Sequence, residues 1–524
     1  MIKTDYIQNP GEGTKYLVQK YNDILVETIL KDTSAFDLKP HLKAKSLQQL
    51  YTLIICVEDG IKPHVEKILR SIVYKLILDE EPDISSRAYK IAELIGLYVQ
   101  TDYVLPMMIS HLTDTESKSV PRFVSSCLTA FSAVLIHSSV RFSDQLQSFM
   151  ANLIKLIVSS DFLQSDNVDV LDRTLRVTAN LIHTAGPLCK QHQHSLFKIL
   201  LQLGSIPNMA SHRAAVDETL HKLAKNCGLD EGGDLFSVEL SELIEEMQES
   251  YENWDKHTPE RFIFDLLVRR ANTALIDKFE DILQIIAANV ENDKEYELRM
   301  DMLALVEFLL QAEQLQSNIV FYSQIVLKMI LIPSTQWKVG KPNIKIRKAA
   351  VICMIRLLEF KLIDKEKLYS SFKDIMNVLK NCIDDDWAND LRFASVVLIK
   401  KMIEYMNEVF DEEDYKEIYP ELLKRLDDSQ DSIRIETANT FKVFFTYLPD
   451  PWSSSLYEYT VKNIFIHLDD QNQEIQTAIM RVLELAARVQ TDKFLEIAND
   501  QMQKFSHPVL CKNLIEYVKE TYKK

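Results

Sequence analysis

A pair of residues, one apolar and one basic or amide, recurs along the second half of the chain at an almost constant interval. It stands at Ile346-Arg347, Leu391-Arg392, Ile433-Arg434 and Ile475-Gln476, with a looser copy at Leu298-Arg299. The four regular copies are 45, 42 and 42 residues apart. Helical hairpins that repeat every ~40–47 residues are typical of HEAT and armadillo arrays. The sequence therefore predicts an all-α fold, an α-solenoid of HEAT- or armadillo-like helical hairpins.

Residues 419–448 show how one such hairpin is built. Tyr419, Leu422 and Leu426 fall at helical spacing before a polar turn, and Ile433 and Phe441 resume that spacing after it. An isolated hairpin cannot bury apolar residues on both of its faces, so each repeat needs a neighbour on either side.

An acidic doublet precedes the second helix of several repeats and suggests how neighbouring repeats are joined. The turn carries Asp427-Asp428 in one repeat and Asp469-Asp470 in the next. Carboxylates near a helix N-terminus are favoured by the helix dipole, and an arginine can bridge to the neighbouring turn. We expect a structural ladder rather than a ligand site from Arg347, Arg392, Arg434, Asp427, Asp428, Asp469 and Asp470.

Composition and the positions of glycine-rich segments predict the domain organisation. With 47% hydrophobic and 26% charged residues, and only 10 Gly and 15 Pro in 524, the chain is typical of a folded helical protein. We predict a polar N-terminal segment at 1–14, helical repeats at 15–227, a glycine-rich hinge at 228–236 and C-terminal HEAT repeats at 237–524, clearest over 340–524.

Targeting and redox signals favour the cytoplasm. The first residues have neither the apolar core of a secretory signal nor a basic amphipathic pattern. We expect no membrane-spanning segment. The seven cysteines are odd in number and are scattered through apolar stretches of sequence, which is typical of free thiols in a reducing compartment.

A net charge of −17 argues against nucleic acid as a general partner, because phosphate binding needs a basic surface. Residues 337–348 are the local exception. They could dock an acidic partner or RNA, although a solvated loop that keeps Ile344 and Ile346 inward is the simpler interpretation. The candidate contact residues are Trp337, Lys338, Lys341, Lys345 and Lys348.

Other polar clusters offer no catalytic or cofactor site. The acidic cluster Asp411, Glu412, Glu413 and Asp414 is interpreted as a solvated loop, with contact to a basic partner as the alternative. His192 and His194 near Cys189 have ligand-like spacing but lack the second pair that a zinc site needs. We expect no enzyme activity, no metal and no cofactor.

Several segments resemble one family, the HEAT-repeat dynein axonemal assembly factors. The similar stretches are 258–261 (TPER) with 263–265 (IFD), 346–351 (IRKAAV), 418–428 (IYPELLKRLDD), 467–470 (HLDD) with Ile475-Gln476, and 504–511 (KFSHPVLC). They run from about residue 254 onward, and the first half matches more diffusely. Family members are longer at the N-terminus, so the resemblance implies a shortened member that lacks early repeats.

The resemblance implies a cytoplasmic, non-catalytic scaffold that preassembles outer and inner dynein arms for motile cilia. Its implied partners are axonemal dynein chains, notably intermediate chains and also heavy chains, together with other assembly factors and chaperones. Two alternatives stay open: a transport-receptor-like HEAT adaptor for basic segments, and an RNA-binding scaffold that acts through 337–348.

Overall fold

The structure is a computed structural model that describes residues 10–33, 39–114, 120–159, 162–163, 165–206, 212–449, 452–505 and 508–522, and the side chains of all of these except 139–148 and 159. Within these ranges the chain is helical and contains no strand, which confirms the all-α prediction.

The α-helices follow one another with short connections. In chain order they are α1 Glu12–Lys20, α2 Asn22–Thr33, α3 Pro40–Val57, α4 Val65–Ile68, α5 Tyr74–Leu76, α6 Pro82–Tyr98, α7 Thr101–Thr113, α8 Pro121–Ser159, α9 Val168–Ala185, α10 Gln193–Ser205, α11 Arg213–Cys227, α12 Gly232–Gln248, α13 Pro259–Arg270, α14 Phe279–Asn289, α15 Tyr296–Gln311, α16 Gln316–Ile325, α17 Ile332–Thr335, α18 Lys341–Glu359, α19 Lys365–Tyr369, α20 Phe372–Ile383, α21 Asn389–Met406, α22 Glu412–Leu426, α23 Asp431–Tyr447, α24 Ser454–Ile466, α25 Gln473–Val489, α26 Thr491–Met502 and α27 Val509–Tyr522.

Tighter and wider turns link some of these helices. The 3₁₀ segments are Glu58–His64, Gly186–His192, Tyr251–Asn253, Asn272–Lys278, Glu313–Leu315 and His467–Asp469. The π-helical segments are Leu69–Val73, between α4 and α5, and Val326–Leu331, between α16 and α17.

The chain divides into two compact units. Unit 1 comprises 1–240 and 262–271, and unit 2 comprises 241–261 and 272–524. Within unit 1, α3, α6, α8 and α9 pack one on the next. Gly96 of α6 allows a close approach to α8, because a Cβ there would lie 2.2 Å from the backbone oxygen of Val134.

The predicted hinge at 228–236 begins where α11 ends. Gly228 has a φ of +85°, and its N–H donates to the carbonyl of Lys225 at 3.1 Å. This left-handed conformation favours glycine and closes the helix. Because α12 already starts at Gly232, the non-helical part is short. The domain boundaries stay a prediction.

Unit 2 is a stack of helical hairpins in two layers. The second helices of successive hairpins pack on each other in the order α15, α18, α21, α23 and α25. The first helices form the other layer, in which α20, α22, α24 and α26 follow one another. Their facing surfaces are apolar, and Phe441, Phe444 and Tyr457 are fully buried.

One stretch within the described ranges, Glu313–Thr335, is long and apolar enough to cross a membrane by length and composition alone. Length and composition alone do not contradict the expectation of no membrane-spanning segment, which stays a prediction. The stretch belongs to the first-helix layer of unit 2, where Gln324 Nε2 donates to the Lys367 carbonyl at 2.8 Å. Only 39% of its most apolar window is buried.

Candidate functional site

The arginine of each regular pair lies near the start of a second helix and reaches the acidic turn of the next repeat. Arg347 Nη2 donates to Asp385 Oδ2 at 2.7 Å, and both side chains are almost fully buried. The guanidinium of Arg434 pairs in the same way with Asp470. Successive hairpins of unit 2 are therefore joined by charged rungs at one edge of the stack.

The rung between Arg392 and Asp428 is the most complete. Arg392 Nε and Nη2 donate to the two carboxylate oxygens of Asp428 at 2.7 and 2.9 Å, and the side chains are 3% and 1% exposed. Asp428 also accepts from Arg425 Nη1 at 3.0 Å and from the Gln430 N–H at 3.0 Å.

These bonds set the ionisation of both partners. Burial alone would raise the pKa of Asp428, but the hydrogen bonds from Arg392 and the Gln430 N–H outweigh it and hold the pKa below its ordinary value. The bond to Asp428 raises the pKa of Arg392. The rung is therefore a fixed ion pair at neutral pH.

The same arginine also binds the turn of its own repeat. Arg392 Nη1 donates to the Asp385 carbonyl at 2.8 Å. In the last regular copy the shorter Gln476 makes this local bond, from Nε2 to the Asp470 carbonyl at 2.6 Å. A long guanidinium can bridge two turns, whereas the amide serves one.

The looser copy at Arg299 reaches the next turn through a second side chain, that of Asn292, and not by a direct ion pair. Arg299 Nε donates to the Val290 carbonyl at 2.9 Å, and Nη2 donates to Asn292 Oδ1 at 3.0 Å. Asn292 Nδ2 then donates to Gln336 Oε1 of the next turn at 3.0 Å. A neutral amide pair thus takes the place of the carboxylate at this junction.

The two aspartates of a doublet have different positions. Asp428 and Asp470 accept from the arginines, whereas Asp427 is exposed and lies 3.8 Å from Nε2 of the buried His467. Burial lowers the pKa of His467. Asp469 is half-buried at the end of the turn His467–Asp469. The second aspartate of each doublet thus accepts from the arginine of the preceding repeat.

The basic stretch 337–348 is not a loop throughout, because α18 starts at Lys341. The interpretation as an inter-helix loop is wrong from that residue onward. Gly340 caps the helix with a φ of +113°. Ile346 is buried as expected, while Ile344 is only half-buried.

The structure separates the basic residues of this stretch by environment. Lys348 Nζ pairs with Asp390 Oδ2 at 2.7 Å, and Lys338 Nζ donates to the Asn292 carbonyl at 2.6 Å. Lys341 and Lys345 are exposed, and Trp337 is 61% exposed. The surface that could meet a partner is thus smaller than the sequence indicated, and its role stays a prediction.

The acidic cluster at 411–414 is the start of helix α22, so its interpretation as a solvated loop is wrong. Asp411 accepts from the N–H groups of Glu413 and Asp414 at 2.8 and 3.1 Å, and Asp414 Oδ2 accepts from the Asp411 N–H at 3.0 Å. Such a reciprocal capping box stabilises a helix N-terminus.

Burial raises the pKa of Asp414, while Glu412 and Glu413 pair with Lys416 at 3.2 and 2.7 Å. Any contact with a basic partner would therefore have to use Asp411 and Glu413, the exposed members of the cluster. That contact stays a prediction.

Cys189 and the histidines near it lie in different environments. Cys189 is buried, donates to the Ile182 carbonyl at 3.6 Å, and has its pKa raised to about 11 by burial. His194 Nδ1 lies 2.8 Å from Glu239 Oε2. His192 is half-buried where the 3₁₀ turn Gly186–His192 ends.

A cleft of about 480 Å³ in unit 1 was not indicated by the sequence. Its charged lining is centred on Asp172, which lies 3.0 Å from Arg176 Nε and 3.0 Å from His212 Nε2. Arg173 lies 3.5 Å from the same carboxylate. Because Asp172 is held by side chains of its own unit on several sides, this arrangement favours a structural ion-pair network over a catalytic site.

Sequence reasoning also passed over Trp387, which is 92% exposed in the turn before α21. Its N–H donates to Asp385 Oδ1 at 3.2 Å, so the turn that carries it is fixed by the rung residue. The short acidic segment around Trp387 has no repeating pattern of apolar residues from which its exposure could have been predicted.

Comparison with solved structures gives only distant likenesses. A crystal structure of Kap121p matches with a TM-score of 0.39 and 14% identity, covering 98% of this chain and 64% of that chain. Kap121p bound to RanGTP gives 0.39 and 13%, covering 98% and 60%. Likeness at this level does not bear on function.

Comparison with curated proteins is more informative. Dynein axonemal assembly factor 5 of Xenopus laevis is 23% identical over 523 residues, covering 98% of this chain and 61% of that protein. The Homo sapiens protein of the same name is 25% identical over 485 residues, covering 91% and 55%. The chain thus spans roughly three fifths of the length of the curated relatives it matches.

A family model described as dynein axonemal assembly factor 5, HEAT-repeat domain, matches residues 3–207. This is the half in which the sequence motifs were more diffuse, so the two lines of evidence cover different parts of the chain. Together they confirm the resemblance inferred from the motifs: the chain is similar to dynein axonemal assembly factor 5 along most of its length.

Proposed function

We propose that this protein is a non-catalytic scaffold that acts in the cytoplasm during preassembly of axonemal dynein arms. The observation that carries the proposal is the similarity to dynein axonemal assembly factor 5 along 98% of the chain. The proposed partners are axonemal dynein chains, intermediate chains first and heavy chains as further candidates, together with other assembly factors and chaperones.

The architecture of unit 2 supports a holding role. Large multichain assemblies expose apolar surface until their subunits dock, and such intermediates aggregate or are degraded. A stack of hairpins offers an extended surface without nucleotide chemistry. Because the rungs use Arg347, Arg392 and Arg434 internally, partner contact falls to exposed side chains such as Trp337, Lys341 and Lys345.

The test is removal of the protein from cells that build motile cilia. We expect cilia to form but beat poorly, to lack outer and inner dynein arms, and to leave dynein chains unstable or stranded in the cytoplasm. Affinity purification of the tagged protein from the same cells should enrich dynein intermediate chains. Normal dynein arms in cells without this protein, and without a redundant homologue, would refute the proposal.

Variants expressed in cells that lack the protein then locate the surface that contacts dynein chains. Deletion of residues 411–524 should abolish rescue, because it removes the last rungs. The surface variant Trp337→Ser/Lys341→Glu/Lys345→Glu should weaken dynein-chain recovery while leaving helix content unchanged. Its control is Val509→Ser/Lys512→Glu/Lys519→Glu, which changes one exposed apolar residue and two exposed lysines of α27. Equal recovery with both triple variants would move the contact away from 337–345.

A further inference from the structure

Two clefts of unit 1 lie side by side along α8 and α9. One is the cleft of about 480 Å³ described above, and the other, of about 600 Å³, lies where α6, α8 and α9 begin. Arg173 of α9 lines both of them, so they adjoin. We call the first the basic cleft, because its charged lining is Arg173, Arg176 and Asp172, with His212. We call the second the acidic cleft, because Asp79, Glu80 and Asp169 line it with Arg122 and Arg173.

The spacing of residues along the two helices produces this pair of clefts. Asp169, Arg173 and Arg176 stand at i, i+4 and i+7 of α9, so they share one face of that helix. Ser125 of α8 lines the acidic cleft and Ser132 lines the basic cleft, and both are buried. Because these side chains are small, α8 leaves room beside the charged face of α9.

Arg173, which the two clefts share, has donors that the described part of the chain does not satisfy. Its Nε is buried and has no hydrogen-bond partner among the described residues. Its Nη1 lies 3.5 Å from Asp172 Oδ2, which is beyond the usual hydrogen-bond distance of ~2.7–3.2 Å. A guanidinium carries several N–H donors, and a buried donor without an acceptor is costly. An anion bound in the cleft would supply the missing acceptor.

Three other arginines with a buried, unpartnered Nε are satisfied elsewhere on the guanidinium. Arg347, Arg356 and Arg425 each donate from an Nη atom to a carboxylate oxygen, at 2.7, 2.9 and 3.0 Å respectively. Within the described ranges Arg173 has no bond of this kind. It therefore offers a place for the carboxylate of another molecule.

The charges of the basic cleft select the kind of anion. With His212 neutral, two arginines face one aspartate, so the cleft has one positive charge in surplus. A carboxylate carries one negative charge and balances this surplus. A phosphate monoester carries a charge of about −2 at neutral pH, so it would exceed the surplus and be repelled by Asp172. The lining therefore favours a carboxylate over a phosphate.

Tyr89 is the remaining ionisable side chain that lines the basic cleft. Burial and then the charge of Glu93 raise its pKa, whereas the charges of Arg176 and Arg173 act in the opposite direction. Both arginines thus lie near the phenol. Glu93 lines neither cleft, and its carboxylate lies 3.4 Å from His137 Nε2. It therefore does not enter the charge count of the lining.

The acidic cleft has the opposite surplus. Asp79, Glu80 and Asp169 face two arginines there, one of which is the shared Arg173. Asp79 Oδ1 accepts from the Glu81 N–H at 3.0 Å, and none of the three carboxylates forms an ion pair with a described residue. When a bound carboxylate neutralises Arg173, the acidic cleft beside it attracts a cationic group.

We propose that the two clefts bind one extended segment of a partner protein, with an acidic side chain at Arg173 and Arg176 and a basic side chain in the acidic cleft. Along α9, Asp169 lies ~6 Å from Arg173 and ~10 Å from Arg176, at ~1.5 Å per residue. An extended chain advances ~3.3 Å per residue, so the two ligand side chains are about two or three residues apart.

This site goes beyond the proposed scaffold role and can be tested without it. The exposed residues proposed for dynein contact, Trp337, Lys341 and Lys345, belong to unit 2, whereas both clefts belong to unit 1. Loss of dynein arms in cells tests the scaffold role, and peptide binding by the purified chain tests the clefts. Either result can therefore fail alone.

The test uses the full chain and a displayed library of random 10-residue peptides. We expect enriched peptides to carry Asp or Glu two or three residues from Lys or Arg, in one chain direction. A selected peptide is then made with an amidated C-terminus, and fluorescence anisotropy gives its dissociation constant. Replacing its acidic residue by the corresponding amide should weaken binding at least tenfold.

Protein variants locate the acidic residue of the peptide. Arg173→Gln should weaken binding at least tenfold, and Arg176→Gln should weaken it severalfold. The control Arg87→Gln removes an arginine of α6 that lines neither cleft, although its Nε also lies 3.0 Å from an aspartate four residues earlier. This control should leave binding unchanged. Thermal melts report whether each variant folds, and Arg176, at 62% exposure, can be replaced safely if Arg173→Gln unfolds the chain.

A second pair of variants locates the basic residue. Asp169→Asn should weaken the selected peptide severalfold, but it should not weaken a peptide whose basic residue is already replaced by Gln. The control is Asp83→Asn, because Asp83 is the second residue of α6 as Asp169 is of α9, and it lines neither cleft. It should leave both peptides unaffected.

Any of four results would overturn the proposal: no enriched peptide, enriched peptides without the opposed pair of charges, unchanged binding by Arg176→Gln, or equal loss of binding by Arg87→Gln. Two further peptides test other ligands. Tighter, Arg176-dependent binding when phosphoserine replaces the acidic residue would assign the basic cleft to a phosphopeptide instead. Binding that follows a free C-terminus, and not the acidic side chain, would assign it to a chain end.

Discussion

Replacing Arg392 by methionine should destabilise the stack locally. Removal of one partner from a buried ion pair typically costs about 3–5 kcal/mol, because the other charge stays buried and uncompensated. Asp428 would keep Arg425 and the Gln430 N–H, each at 3.0 Å. We therefore expect a loss of about 2–4 kcal/mol, below the full penalty for an orphaned charge.

Urea unfolding followed by far-UV dichroism measures the loss, and hydrogen exchange locates it. In a repeat array each hairpin contacts only its neighbours, so the loss of protection should concentrate in α21 and α23 and leave α9 unchanged. Uniform loosening of the chain would show instead that the array unfolds as one unit.

A double-mutant cycle isolates the rung. With Arg392→Met, Asp428→Asn and the combined variant, we expect a coupling energy of about 2 kcal/mol, within the range for residues in direct contact. Lys348 and Asp390 form an exposed inter-repeat pair at 2.7 Å and serve as the control. Exposed pairs contribute less than about 1 kcal/mol. Coupling at Arg392–Asp428 no greater than at this control would refute the reasoning.

The pH dependence provides a second check on the same rung. The folded pKa of Asp428 lies below its ordinary value of 3.8, so its stabilising contribution is full above that pH. It is lost as the pH falls through the folded pKa. The difference in unfolding free energy between wild type and Arg392→Met should therefore be constant near neutrality and shrink below pH ~4. A difference that grows on acidification would contradict this assignment.

Three further outcomes are expected. Phe441→Ala should cost about 3–5 kcal/mol in urea unfolding because its ring is fully buried, and a cost near zero would place it outside the core. Gly96→Ala should cost at least about 1–3 kcal/mol because its Cβ would meet the Val134 backbone, whereas Gly233→Ala, with open space around it, should not destabilise. All seven cysteines are buried, and burial raises the pKa of Cys382 to about 11. Thiol reagents at pH 8 should therefore label the native chain slowly, and they should label all seven cysteines after unfolding. Rapid labelling of the native chain would contradict this burial.

The part of the fold that could be predicted from sequence is the part that repeats. Ile346, Leu391, Ile433 and Ile475 are all buried, because a core position recurs wherever the hairpin recurs. The acidic turn and the arginine were also visible, since both residue types stand at fixed offsets. Sequence alone could not decide which aspartate of a doublet faces inward, because this depends on the orientation of the turn.

The sequence-based interpretations were wrong at two charged segments, which were assigned to loops but lie at the starts of helices. Residues 411–414 look like a solvated acidic loop, yet Asp411 and Asp414 cap a helix with their own side chains. In the same way, basic residues at 341–348 look like a loop but lie in the first turns of α18. Capping depends on φ and ψ angles that a charge count does not report.

The exposed apolar residues Phe321 and Met329 illustrate a different limit. Periodicity identifies apolar residues as core, since burial is their usual fate. In Glu313–Thr335 the apolar residues surround the helix, so the pattern cannot show that Phe321 and Met329 face water. Their exposure follows from where α14 and α20 lie, which is tertiary information.

The rungs raise the question of why the repeats use buried charges at all. Well-packed apolar residues of similar volume often give equal or greater stability than a buried ion pair. A bidentate pair such as Arg392–Asp428, however, has a fixed geometry, because both carboxylate oxygens must meet the planar guanidinium. Apolar contacts allow hairpins to slide, whereas this pair allows one register. A fixed register would serve the proposed scaffold role, since exposed residues on successive hairpins can bind one partner only if their spacing is constant.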